Sequence, residues 1–88
     1  GIVSYRSVLR LVAESGPHAG DVPVKEIMER EPVTVEPETS TLDAIEAMRS
    51  RSVSALPVVK EGKLVGIVSE RDFMSIAYHL LEDRLRGP

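Results

Sequence analysis

With 88 residues and 42% of them hydrophobic, the chain has the length and composition of one small globular domain. The absence of cysteine excludes disulfides and thiolate metal sites. A net charge of −3 and only 3% aromatic residues give nucleic acid neither a net basic field nor a platform of base-stacking rings. His18 and His79 are far apart in sequence and supply too few ligands for zinc. No apolar run approaches the roughly 20 residues of a membrane span. Gly1-Ile2-Val3-Ser4 shows no secretory-signal pattern, so a reducing, cytoplasmic setting is the expectation.

The elements follow in chain order. Gly1 to Val3 is β-branched and reads as the tail of a strand. Ser4 can cap a helix from about Tyr5 to Glu14, with Val8, Leu9, Leu11 and Val12 on one apolar face. Gly16-Pro17 is a helix stop, and residues 16–21 read as a linker rich in turn formers. Asp21-Val22-Pro23 can begin a brief helical turn that carries Val24, Ile27 and Met28. Pro32 biases Glu31 towards an extended conformation, and Val33-Thr34-Val35 reads as a short strand. Glu36-Pro37-Glu38 is a turn.

Either Thr39 or Ser40 can cap the next helix, which runs to about Ser50; Asp43 completes a capping box if Ser40 is the cap. Leu42, Ala44, Ile45, Ala47 and Met48 form its expected buried stripe, and Glu46, Arg49, Ser50 and Arg51 its wet side. Leu56 to Val59 and Leu64 to Val68 read as a hairpin around Glu61-Gly62. Pro57 cannot donate to a ladder and belongs near a strand start or edge. Ser69 caps a last helix to about Leu85, with Phe73, Ile76, Ala77, Leu80 and Leu81 as its apolar face, and Gly87-Pro88 closes the chain. The expected fold is α/β (α+β): a β-α-β-β-α unit whose small mixed sheet is covered by two helices, preceded by a strand–helix remnant.

That remnant matches the last part of the larger unit. Gly1-Ile2-Val3-Ser4-Tyr5-Arg6-Ser7 aligns with Gly66-Ile67-Val68-Ser69-Glu70-Arg71-Asp72 at an offset of 65 residues. Glycine, isoleucine, valine, serine and arginine are identical, and Val8, Leu9 and Leu11 pair with Phe73, Met74 and Ile76. A repeat at this period points to a paired architecture.

The order and spacing of Val24-Lys25-Glu26-Ile27-Met28, Pro32-Val33-Thr34-Val35, Ser54-Ala55-Leu56-Pro57-Val58-Val59 and Gly66-Ile67-Val68-Ser69-Glu70-Arg71-Asp72 resembles the CBS domain family. The resemblance covers about Val22 to Leu81. It implies residues 1–15 as the strand and helix ending a preceding repeat, 16–21 as a linker and 22–86 as a complete repeat. Repeats of the family pair as a pseudo-two-fold Bateman module.

The resemblance also implies a regulatory ligand of the adenosine class: AMP, ADP, ATP or S-adenosylmethionine. Asp72 falls at the ribose position, Ser69 at the hydroxyl three residues earlier, and Val33, Val53, Ser54 and Ala55 where the family lines adenine. Arg71 and the helix amides suit phosphate. Ser-x-x-Asp is also an ordinary capping box that needs no ligand, and Val33 and Val53 are also ordinary core residues. In family pairs each cleft joins strand ends of one repeat to the helix start of the other. At the first helix start, Ser4-Tyr5-Arg6-Ser7, a serine replaces the aspartate, which weakens or specialises the cleft that would use Ser4. The Asp72 cleft would need strand ends from residues before Gly1 or from another chain.

The expected function is ligand sensing that regulates an attached effector domain. The alternative is a ligand-independent association module, and a homodimer through repeat pairing is expected in either case. Catalysis is not expected. Ser69 and His79 lie ten positions apart, nearly three turns of one helix, and cannot form a nucleophile–base pair within it. Glu26, Glu29, Glu31, Glu36 and Glu38 sit among other charges and read as solvated.

Overall fold

The computed structural model describes residues 1–86; Gly87-Pro88, expected to close the chain, lie outside the described residues. The chain forms two compact units, Gly1–Pro32 and Val33–Pro88.

In the first unit, Ser4 takes extended backbone angles and its hydroxyl accepts the Ser7 N–H at 3.3 Å, which starts α1 (Tyr5–Ser15). The helix ends where Gly16 adopts φ +55° and returns its N–H to the Val12 carbonyl. Residues 16–21, read from the sequence as a linker, form a 3₁₀ helix (Gly16–Asp21). Pro17, at the start of that helix, has its φ fixed there and needs no donor. A second 3₁₀ turn spans Val24–Glu26. The expected strand at residues 1–3 is reduced to one antiparallel bridge, Ile2 to Glu29, closed by N–H···O bonds of 3.1 and 2.8 Å. Of the predicted apolar face of α1, Leu11 is half-buried, while Val8, Leu9 and Val12 stay exposed.

In the second unit, Ser40 accepts the Asp43 N–H at 3.1 Å and starts α2 (Thr41–Arg51). Thr39 accepts instead from the Glu36 N–H, closing the 36–39 turn. Strands β1 (Ala55–Lys60) and β2 (Lys63–Ser69) form an antiparallel hairpin. Its two central residues, Glu61 and Gly62, both have positive φ, 51° and 78°. That is the type I′ signature, whose twist matches the flanking strands. The register shifts between Val58 and Val59, where Gly66 and Leu64 are the respective partners, so Val65 is the extra residue of a bulge. Helix α3 (Glu70–Arg86) follows directly.

The predicted strand at Val33-Thr34-Val35 is a single parallel bridge, Val35 to Val58. Val35 donates to the Pro57 carbonyl at 3.0 Å, and Val59 donates to the Val35 carbonyl at 2.8 Å. Continuing this parallel ladder would require an N–H from residue 57 towards Val33, or from residue 37 towards Val59. Both residues are proline, so the ladder stops at each end. Pro57 itself is buried inside β1 rather than at its start.

The core of this unit is Ala44 and Met48 of α2 with Leu56 of β1, surrounded by Val33, Val35, Ala47, Val53 and Phe73. Helices α2 and α3 thus both contribute to the cluster around one strand. Two predicted burial patterns are corrected. Leu42 is 76% exposed, and on α3 only Phe73 packs on the core, while Ile76, Leu80 and Leu81 are more than half exposed. A two-stranded hairpin has too little apolar area to cover a 17-residue helix along its length.

Leu56 is fully buried. Replacing Leu56 with alanine should therefore lower stability by about 2–5 kcal/mol, whereas Leu42→Ala should change it by no more than about 0.5 kcal/mol. Urea unfolding midpoints at constant m-value check the contrast.

Candidate functional site

The site is built at the corner where α2 hands the chain to β1 and β2 hands it to α3. Ser52 ends α2 in the left-handed conformation, φ 53° and ψ 43°. Its N–H reaches the Arg49 carbonyl at 3.3 Å, and the Val53 N–H reaches the Met48 carbonyl at 3.1 Å. This is a Schellman closure, with serine where glycine is usual. It turns Val53 back onto the core and delivers Ser54, which is exposed, to the start of β1.

Two interactions fasten this strand start to the start of α3. Ala55 lies opposite Ser69 in the hairpin, and the Ser54 carbonyl accepts the Glu70 N–H at 2.9 Å. Asp72, one turn into the helix, accepts at Oδ2 from the Ser69 N–H at 2.9 Å and from the Ser69 hydroxyl at 3.3 Å. Glu70 and Asp72 also place two carboxylates in the first turn, where the helix dipole favours negative charge. Ser69 was expected to cap α3, with Ser-x-x-Asp as a capping box; the half in which Asp72 accepts the Ser69 N–H is present, and the Ser69 hydroxyl donates to the same carboxylate oxygen.

Ser54, Ala55, Ser69 and Asp72 are therefore brought together. Val33 and Val53 are half-buried and pack on the Ala44–Met48–Leu56 cluster. Arg71 is exposed and lines an open depression of about 500 Å³ along α3 with Glu70, Met74, Ser75 and Tyr78. Ser4 is in the first unit, where it caps α1 and lies 3.1 Å from the Ser7 hydroxyl. Sequence reading did not find the roles of Ser52 and the Glu70 amide. Ser52 carries no glycine signal, and a backbone N–H leaves no mark in a residue pattern. Met74, Ser75 and Tyr78 were missed as a lining because their spacing reads as an ordinary helix flank.

The assembled groups are the Asp72 carboxylate, the Ser54 and Ser69 hydroxyls, and backbone groups already paired with one another. Among the described residues no group of three or more histidine, aspartate or glutamate side chains gathers as a metal site, and no helix is long and apolar enough to cross a membrane.

Comparison with known proteins accounts for this layout. Residues 24–79 match the CBS domain. The mitochondrial CBS domain-containing protein CBSX3 of Arabidopsis thaliana is 31% identical over 88 residues, covering 98% of this chain and 43% of that protein. A CBS-domain containing protein of Agrobacterium tumefaciens superposes with a TM-score of 0.79 at 27% identity, over 85% of this chain and 56% of that one. CBSX2, solved in complex with AMP, superposes with a TM-score of 0.70 at 27% identity, over 91% of this chain and 63% of that one. The chain thus spans less than two thirds of the length of each.

The bonds at the α3 start predict a graded loss. Asp72→Ala removes both and should cost about 1 kcal/mol, while Ser69→Ala keeps the backbone N–H bond and should cost less than Asp72→Ala. Thermal unfolding of the two variants beside the unmutated protein is the measurement.

Proposed function

The chain belongs to the CBS domain family, and from that premise we propose that it is a regulatory module sensing an adenosine-containing ligand between paired repeats. The observation that carries this reading is the corner at Ser54, Ala55, Ser69 and Asp72, where a carboxylate stands beside an exposed strand start. In this reading Val33, Val53, Ser54 and Ala55 line the adenine slot of one cleft, and Asp72 accepts from the ribose in the other, whose strand ends come from another repeat. Arg71 and the first-turn amides of α3 after Glu70, whose own N–H is held by the Ser54 carbonyl, meet phosphate, with AMP, ADP, ATP and S-adenosylmethionine as the candidate ligands. A structural relative solved with AMP supports the ligand class. Ser4 is the matching hydroxyl at the start of α1, where Ser7 stands in place of a carboxylate and can engage a ribose less strongly.

Residues 1–15 are read as the end of one repeat, 16–21 as the linker and 22–86 as a complete repeat, working in a reducing, cytoplasmic setting. The ligand acts by binding one arrangement of the repeats better than another, and an attached effector domain reads the difference. Catalysis has no part in this reading.

A second reading has its own observation. Val65 and Ile67 of β2 and Met74, Ile76, Leu80 and Leu81 of α3 are all more than half exposed, an apolar area that suits association with another copy. Two copies would pair isologously. In this reading the module holds chains together without a ligand.

Isothermal titration of the full-length protein with AMP, ADP, ATP and S-adenosylmethionine separates the two. Ligand sensing predicts saturable binding of at least one, weakened about tenfold or more by Asp72→Ala. No heat with any of the four would sink it and leave the association module. Sedimentation at micromolar concentration should show a dimer that Asp72→Ala leaves intact; a monomer would count against association.

A further inference from the structure

Helix α3 carries two apolar stripes, and the core meets one of them. Phe73, Ile76, Ala77 and Leu80 share a face, and Phe73 sets that face on the Ala44–Met48–Leu56 cluster. Met74, Tyr78, Leu81 and Leu85 share another, turned from the first by about 120° at 3.6 residues per turn. All four are well exposed, from 61% at Tyr78 to 87% at Leu85. Two open depressions run end to end along this second stripe, with Tyr78 common to both. The one of about 500 Å³ holds Met74 and Ser75, and one of about 380 Å³ holds Leu81, Glu82 and Leu85.

The second stripe is spaced four, three and four residues, the heptad seam that a partner helix fills with knobs in holes. A seam of this kind fits another of the same kind. The internal repeat does not account for it. At the offset of 65 residues the stripe aligns with Leu9, Ala13, Gly16 and Gly20, and the two glycines lie beyond the end of α1 at Ser15. The four exposed residues present roughly 500 Å² per chain, on the order of 1,000 Å² for two chains, which reaches the lower limit of a specific interface. Charge sets the direction. Arg71 extends the seam by one step before Met74, and parallel helices would face it with its own counterpart. Antiparallel helices carry it past the far end of the seam and leave Glu82 beside Ser75, and Arg84 beside Ala77, of the second copy.

We infer that two copies of the chain associate through this stripe, α3 against α3 in antiparallel about a two-fold axis, with Tyr78 of each packed on Leu81 of the other. This rests on the association reading above and names its interface.

Sedimentation of the full-length protein at micromolar concentration tests the inference, with Leu81→Glu and Tyr78→Lys variants alone and mixed. Each variant alone should weaken the dimer about tenfold or more, since a charge enters an apolar layer. An equimolar mixture should regain the dimer, because in the antiparallel pair position 81 of one variant faces position 78 of the other, glutamate against lysine. A dimer that neither substitution weakens would place the association on another surface and overturn this interface alone. Variants that dissociate and stay apart on mixing would overturn the antiparallel pairing. An unmutated protein that remains a monomer would overturn the association reading, and this interface with it. Should either variant lose its helical circular dichroism, Met74→Glu with Leu85→Lys, the other facing pair, carries the same comparison.

Discussion

Burial of Leu56 is the constraint on which the second unit depends. Among the described residues its side chain is the one with no exposed surface, and the elements that form the candidate site meet around it. Met48 and Ala44 approach from α2, Phe73 from α3, and Val33, Val35 and Val53 from the segments between. Because Leu56 is immediately preceded by Ser54-Ala55, fixing it in the core also fixes the strand start that the Glu70 amide ties to α3. The polar corner is thus held from beneath by packing and from the side by hydrogen bonds. Side chains on loops gain precision from a rigid support of this kind.

The unit leaves much apolar surface in solvent, and the cause is local. Two prolines limit the parallel contact of Val35 to a single bridge, so the sheet stays at two hydrogen-bonded strands with one residue leaning on its edge. A narrow sheet covers few helix residues. Met74, Ile76, Leu80 and Leu81 of α3, and Leu64, Val65 and Ile67 of β2, stay more than half exposed. Such a surface is compatible with the paired architecture that the internal repeat suggests, since a second repeat would supply the missing area.

The two aligned helix starts are closed by different hydrogen bonds. Ser4 and Ser69 occupy equivalent positions in the repeat, each three residues before a polar partner. Facing a serine, the hydroxyl accepts from the helix backbone and works as a cap. Facing an aspartate, it donates, and the helix start is organised around the carboxylate instead. The identical Gly-Ile-Val-Ser segment therefore does not carry identical chemistry in its two copies.

Local rules determined most of what the sequence by itself settles: the helix starts after Ser4 and Ser40, the stop at Gly16 and the hairpin turn at Glu61-Gly62. Each depends on residues within one turn or one hairpin, so a short window contains the physics; the family resemblance rested instead on the order and spacing of motifs from Val22 to Leu81. The residues around Asp72 were legible for the same reason, because Ser-x-x-Asp is a local pattern. Only the tertiary structure decided which apolar residues are covered, since periodicity names a face and not the surface that meets it; Leu42 and Leu80 lie on predicted faces and remain in solvent. It also decided that Val33 makes no ladder bond, because the missing donor belongs to Pro57, distant in sequence. The joining of Ser54 to Glu70 was decided there too, as the contact of a carbonyl with an amide that every residue but proline could have supplied.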